Sequence, residues 1–394
     1  MKQSNLDGNS TSLFSTIKRK ILNLFNRNKQ EIQEINQDIQ EINQDIQEIK
    51  PDIQEIKQDS QEIKQDIQEV KPDKQVIKQE SKVIKRPAKN PPVLINYVTF
   101  NRLGLTIRNL SRILETDEDF EMHIIDSNSR DNSWDYIQSL TDSRIKSKIR
   151  LDLNRGPIYP LNLSLTKRRP DQYYMTIDSD VYIKTDKWLS KFMEVFEAFP
   201  EIGVLGVMRD NPYPRYLPPV IPITKGDVSY LQLKNATVGV DLDFVPGQLQ
   251  CLRPELINEI GYWSEENGYG DAELSPRVTH YTSFKCGYVT TVEIDMLQSI
   301  GCDECKYLAS CTLSKSLNTC FTLGKKSNMN EAFVRSLGWK YLETFKELQE
   351  GKRTAYCASI HDPKSLISHV YNYQWANENF EYYVKYSNTY SEVL

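Results

Sequence analysis

Asp178-Ser179-Asp180 closes an apolar stretch, Tyr173-Tyr174-Met175-Thr176-Ile177, and is the strongest chemical signal in the chain. Two carboxylates spaced i, i+2 at a strand end point toward the same edge of a sheet. Hard oxygen ligands of this kind suit Mg²⁺ or Mn²⁺ carrying substrate phosphates. A surface turn also produces D-x-D, and it is the buried strand before it that favours a cation. Asp126 ends another apolar run, Met122–Asp126. Asp271 follows Gly268 and Gly270 at the start of a predicted helix, Asp271–His280. A helix N-terminus lowers a carboxylate's pKa, so Asp271 is expected to be ionised and available as a base, with helix capping as its alternative role. Cys302, Cys305, Cys311 and Cys320 form a second local signal. Their spacing suits structural Zn²⁺, with an iron–sulfur cluster, unmetallated thiols or a disulfide as alternatives. Cys251, Cys286 and Cys357 read as small core residues.

Short apolar runs alternating with helical patterns would position these groups. Strands are predicted at Val93–Val98, Met122–Asp126, Ile149–Leu153 and Tyr173–Ile177. Helices are predicted at Leu103–Leu114, near Ser133–Leu140, near Leu161–Lys167 and at Lys187–Phe199. This alternation implies an α/β fold, a Rossmann-like, mostly parallel sheet with helices on both faces. Ligands in such sheets bind at the carboxyl ends of the strands, where Asp126, Asp178 and Asp180 fall. The G-x-G-x-x-G fingerprint and the P-loop are absent from the sequence.

The chain has 394 residues and a net charge of −5, which argues against a surface that tracks nucleic-acid phosphates. The sequence holds no apolar run long enough to span a membrane. A cytoplasmic location with reduced thiols is the expectation. Before residue 91 the only aromatics are Phe14 and Phe25 and the only glycine is Gly8, so no globular core can form there. Ile32, Ile39, Ile46, Ile53 and Ile67 fall on one heptad position, and Ile35, Ile42, Ile49, Ile56, Ile63, Val70, Ile77 and Ile84 on the other apolar one. A long coiled-coil helix over 31–86 follows, with a homo-trimer or tetramer as the expected assembly. Pro51 and Pro72 should kink it, and a partly helical spacer is the alternative. Phe14, Ile17, Ile21, Leu24 and Phe25 share a face ringed by Lys18, Arg19, Lys20, Arg27 and Lys29. Peripheral membrane contact through 13–29 is one reading of that face. The domain expectation is therefore 1–30 basic and amphipathic, 31–86 coiled coil, 91–300 catalytic, and 301–394 a Cys-rich insertion with a closing helical segment.

Residues 93–131, VLINYVTFNRLGLTIRNLSRILETDEDFEMHIIDSNSRD, resemble the opening of family-2-like glycosyltransferases of the GT-A (nucleotide-diphospho-sugar transferase) fold. Asn154-Arg155-Gly156-Pro157 and Asn162 look like the segment before that family's D-x-D strand. Gly247, Arg253-Pro254-Glu255-Leu256, Ile260-Gly261 and Gly268 to Arg277 look like its acceptor-side block. The resemblance covers about residues 92–295.

The resemblance implies a donor site of Thr99, Asn101, Arg102, Asp126, Asn162 and Asp178, with Asp178, Asp180 and a late histidine, His361, around Mn²⁺ or Mg²⁺. It implies Asp271 as the base. Gly270 stands where the family usually has Glu, and Glu273 is the candidate to supply that carboxylate. The expected function is metal-dependent, inverting transfer from a nucleotide-sugar donor, UDP-linked, to a glycan, lipid or protein acceptor. Two alternatives remain: a non-catalytic oligomeric carbohydrate-binding or scaffold protein with a decayed site, and a nucleotidyltransferase. Trp339, Tyr341, Trp375, Tyr382 and Tyr383 are candidates to stack on an acceptor sugar, with core packing as the alternative.

Overall fold

The computed structural model describes residues 91–208, 218–236, 238, 243–296 and 331–388. The basic segment 1–30, the heptads of 31–86 and Cys302, Cys305, Cys311 and Cys320 lie outside them.

The chain opens with β1 (Val93–Thr99), α1 (Leu103–Leu114), β2 (Phe120–Asp126), α2 (Ser133–Ser139) and β3 (Ile145–Arg150). It continues with α3 (Ile158–Leu165), β4 (Tyr174–Asp178), β5 (Val181–Ile183), α4 (Trp188–Ala198) and β6 (Ile202–Val207). Then come β7 (Val220–Lys225), β8 (Val228–Leu233), β9 (Leu249–Leu252), α5 (Pro254–Ile260), α6 (Asp271–Tyr281), β10 (Lys285–Val289) and β11 (Ile294–Met296). The described C-terminal residues form α7 (Glu331–Gln349), α8 (Pro363–Ser368) and α9 (Tyr373–Asn388).

The main sheet runs β3-β2-β1-β4-β9-β6-β10-β8-β7. The block β3-β2-β1-β4 is parallel throughout. Strand β9 then lies antiparallel between β4 and β6, and β8 is antiparallel to β10 and β7. The sheet is thus mostly parallel, with β8 and β9 reversed. Its central strands β1, β4, β9, β6 and β10 are largely buried and apolar, as a sheet covered twice requires. Ile95, Tyr97, Met175 and Ile177 pack with Leu110, Ile113, Trp188, Phe192 and Phe196 of α1 and α4. Leu94, Tyr174 and Val204 pack with Ile158, Leu256, Ile260, Leu274 and Val278 of α3, α5 and α6. Burying each such side chain contributes on the order of 1.5–3 kcal/mol.

The predicted third strand is shifted. It is observed at Ile145–Arg150, on the sheet edge, where alternating Lys146 and Lys148 make a better half-exposed strand than an apolar run. His123 is half-buried in β2, and its Nδ1 bonds Ser147 Oγ. Cys251, Cys286 and Cys357 are buried free thiols, as their context suggested.

The C-terminal residues close onto α5 and α6. Gly261 makes a parallel bridge to Cys357. At φ 68, with a Cβ that would sit 2.5 Å from the Cys357 carbonyl oxygen, that position admits only glycine without rearrangement.

Candidate active site

Two βα loops, the turn between β4 and β5 and two glycine-bearing turns meet at the carboxyl edge of the parallel block. The first loop follows β1. Asn101 and Arg102 are both left-handed, at φ 57 and 67, a region that residues with a Cβ seldom adopt. The surroundings hold them there. Asn101 N–H donates to Ser129 Oγ at 2.7 Å, and Asn101 Oδ1 accepts from Arg130 N–H at 2.9 Å. Helix α1 has no capping side chain of its own. Asp131, from the loop after β2, accepts from Leu103 N–H at 2.9 Å and from Ser133 N–H at 3.0 Å. One carboxylate therefore serves the starts of α1 and α2 and locks the two loops together. Thr99 is buried, and its hydroxyl bonds Asn101 O and Thr106 Oγ1. It fastens the turn.

Asp126 ends β2 beside Thr99. Its Oδ1 accepts from Ser129 N–H at 2.8 Å, and Arg150 Nε lies 3.6 Å away. Its Oδ2 is buried with no partner. Burial pushes this carboxyl above its usual range, against Ser129 and Arg150, which pull it down.

The D-x-D pair stands at the turn between β4 and β5. Asp180 is buried, and its Oδ2 accepts from Arg102 Nη1 at 2.8 Å. Its Oδ1 is a buried acceptor without a partner. Asp178 N–H donates to Gln248 O at 2.9 Å. One residue earlier, Gly247 N–H donates to Asp271 Oδ2 at 2.7 Å. The Gly247–Gln248 turn thus links the D-x-D strand to the candidate base. Burial first, then the charges of Asp180 and Asp271, push the Asp178 carboxyl up to about 7, while Arg102 opposes them. The Asp178 side chain is crowded by protein yet still reaches solvent, so water screens these charges and moderates the shift.

Asp271 is the first residue of α6, and Gly270, at φ 61, is its cap. Its Oδ1 accepts from Ala272 N–H at 2.9 Å. The expected lowering of its pKa does not hold. Burial raises it, outweighing the hydrogen bonds from Gly247, Ala272 and its own N–H. A raised carboxyl is the stronger base.

Several other residues hold the frame. Glu273 is fully buried and paired with Arg277, at 2.5 Å to Nε and 3.1 Å to Nη2. Both its oxygens are engaged, so it offers nothing to an acceptor, contrary to the sequence expectation. Arg277 also donates to the carbonyls of Ile260, Tyr262 and Ala355. Glu273→Ala would leave this guanidinium buried with no carboxylate partner, and a loss of about 3–5 kcal/mol is expected. A melting-temperature change near zero would contradict that role. Asn162 is also structural here, because its amide bonds Trp263 N–H and O and Glu265 Oε1. His361 packs its ring edge against Tyr159 at 4.4 Å, and burial pushes its pKa down to about 4. Among the described residues no three His, Cys, Asp or Glu converge as a metal group, so His361 does not join Asp178 and Asp180 in one.

Sequence reading missed the hub at Glu265. This buried carboxylate accepts from Asn162, Ser359 Oγ at 2.6 Å, Ile360 N–H at 3.0 Å and Tyr371 OH at 2.6 Å. Glu266 pairs with Arg353 at 2.7 Å, and Asn379 donates to both backbone carbonyls. The available signal was Trp263-Ser264-Glu265-Glu266-Asn267, adjacent acids between the aromatic pair Tyr262-Trp263 and Tyr269. Buried charges require partners, and these lie about 100 residues later in the chain. Of the aromatic candidates, Tyr341 is buried and stacks on Tyr269, Tyr382 stacks on Phe333, and Trp339 is exposed with its edge to Trp375.

The model of glycosyl transferase family 2 matches residues 95–248. The match covers under half of the 394-residue chain, within the sheet that carries the site. That match includes Asp126, Asp178 and Asp180, and it ends at the Gly247–Gln248 turn that abuts Asp271. Among solved structures, the mannosyltransferase PcManGT from Pyrobaculum calidifontis, in complex with GDP-Man and Mn²⁺, has 14% identity and a TM-score of 0.40. That comparison covers 76% of this chain and 87% of that one. TarS from S. aureus has 16% identity and a TM-score of 0.36, over 50% of this chain and 35% of that one. This chain therefore spans about a third of the length of that TarS chain. TarS 1–349 in complex with UDP-GlcNAc has 16% identity and a TM-score of 0.37, over 77% and 92%. Overlap this loose carries no residue-by-residue correspondence. Curated protein sequences returned no match.

Proposed function

We propose that the glycosyltransferase domain moves a sugar, with inversion, from a UDP-linked donor to an acceptor hydroxyl, with a divalent cation as cofactor. The observation that carries this is the single site formed by Asp178, Asp180 and Asp271, joined through the Gly247–Gln248 turn. The residues suit Mn²⁺ or Mg²⁺, because Asp180 Oδ1 is a buried, unpartnered hard oxygen beside a second carboxylate. The cation, when bound, offsets charge that develops on the leaving diphosphate.

The chain's own residues do the rest. Asp126 Oδ2, buried and unpartnered, is the acceptor for an N–H or O–H of the nucleoside. Arg102 supplies a positive charge at the phosphate end. Asp271, held by two backbone N–H groups, takes the proton from the attacking hydroxyl. With Asp178 and Asp180 given to the cation, Asp271 acting as a single base fits one direct displacement, with the diphosphate leaving, and inversion. Mannosyl and N-acetylglucosaminyl donors, named with the structures above, are the first to try, as GDP-Man and UDP-GlcNAc.

The raised Asp178 carboxyl gives a pH prediction. A carboxyl raised toward 7 is protonated below that value in the folded chain, and a cation must displace the proton. Cation affinity therefore falls as pH drops through the raised Asp178 pKa, by at most about tenfold per pH unit for one proton. The same shift disfavours the metal-free fold as pH rises from the ordinary carboxyl pKa toward 7, so added Mn²⁺ should raise the melting temperature most on the alkaline side. Calorimetric titration of Mn²⁺ with UDP between about pH 8 and pH 5 checks this. Affinity that is flat, or that rises as pH falls, would contradict it.

A further inference from the structure

Arg102 and Asp180 form an ion pair on the carboxylate that the donor-site reading gives to a cation. Arg102 Nη1 lies 2.8 Å from Asp180 Oδ2, and the Asp180 side chain is only 7% exposed. The backbone that aims Arg102 is held left-handed and tied to the loop after β2 by Ser129, Arg130 and Asp131. The Arg102 side chain is 26% exposed, so it reaches solvent beside the buried Asp180. The second Asp180 oxygen, Oδ1, is buried and unpartnered.

We propose that Arg102 is a tethered counter-ion: it pairs with Asp180 when no donor is bound and transfers to the diphosphate when cation and nucleotide enter together. This rests on the donor-site reading above. A cation arriving alone at Asp180 Oδ1 must share the carboxylate with Arg102 on Oδ2 or displace it, and either way two positive charges lie close together at a buried carboxylate. A diphosphate changes the balance, because its oxygens accept the planar guanidinium fork as well as the cation. Arg102 therefore weakens binding of a lone cation and makes cation and nucleotide diphosphate bind cooperatively. By linkage each raises the other's affinity by the same factor. The outcome is a site that accepts the donor complex and discriminates against free cation.

The test titrates Mn²⁺ into the full chain and reads free Mn²⁺ by electron paramagnetic resonance, alone and with UDP or GDP. Arg102→Asn keeps a residue that tolerates left-handed backbone. It should bind Mn²⁺ alone about tenfold more tightly than the parent chain, bind metal-free nucleotide more weakly, and show a smaller coupling between the two. Arg102→Lys keeps the charge and loses the fork, so lone Mn²⁺ should bind as weakly as to the parent while the coupling falls. Equal or weaker Mn²⁺ binding by folded Arg102→Asn overturns the proposal. A parent chain that binds Mn²⁺ neither alone nor with UDP or GDP overturns the donor-site reading as well, which separates the two failures.

Discussion

Asp271→Asn should lower turnover by about 10²–10⁴ while leaving donor affinity nearly unchanged. The carboxylate sits at the start of α6, across the Gly247–Gln248 turn from the D-x-D strand. Burial lifts its pKa, which strengthens it as a proton acceptor. Asn keeps one of the two acceptor positions now used by Gly247 and Ala272, so the helix start is retained, but the proton has nowhere to go. Turnover is measured as nucleotide diphosphate released in the presence of acceptor, and donor affinity by calorimetry. Near-normal turnover in Asp271→Asn, beside a lowered melting temperature in Asp271→Ala, would make Asp271 a structural residue. Glu273 could not then replace it, because Arg277 holds both its oxygens.

Asp180→Ala should abolish Mn²⁺-dependent donor binding, by more than about a hundredfold, without unfolding the domain. Asp180 contributes a buried oxygen with no protein partner and one bonded to Arg102. Its removal therefore relieves a buried unsatisfied acceptor and frees a partly exposed guanidinium, which water can solvate. The melting temperature without ligand should change little, while its rise with Mn²⁺ and UDP disappears. Undiminished Mn²⁺-stimulated binding by the variant would rule out Asp180 as the cation's ligand.

Much of the parallel block was legible because its signals are local. Helix α1 follows the spacing of Leu103, Leu110 and Ile113, and β4 is an apolar run closed by Asp178. Parallel strands then carry Asp126, Asp178 and Asp180 to one edge without further information. The failures are non-local or concern burial. Nothing in Leu249–Leu252 marks it as an antiparallel strand between β4 and β6, since a strand buried on both faces reads the same in either direction. The pKa of Asp271 depends on packing that the sequence does not display, and burial outweighed the helix terminus. Glu265 meets Ser359 and Tyr371 across long sequence separations that no local pattern reports. The Glu273–Arg277 pair is different. Its i, i+4 spacing on a predicted helix was visible and points to an ion pair before it points to catalysis.

In the proposed function, Asp178, Asp180 and Asp271 form a cation-dependent sugar-transfer site. The most direct test incubates the full chain with a panel of UDP- and GDP-sugars, UDP-GlcNAc and GDP-Man included, and measures nucleotide diphosphate release with Mn²⁺ and with EDTA. At least one donor should be turned over, slowly to water when no acceptor is present; EDTA should stop it, and Asp180→Ala should lack it. Release from no donor in the panel, or release that proceeds equally with EDTA, would contradict it.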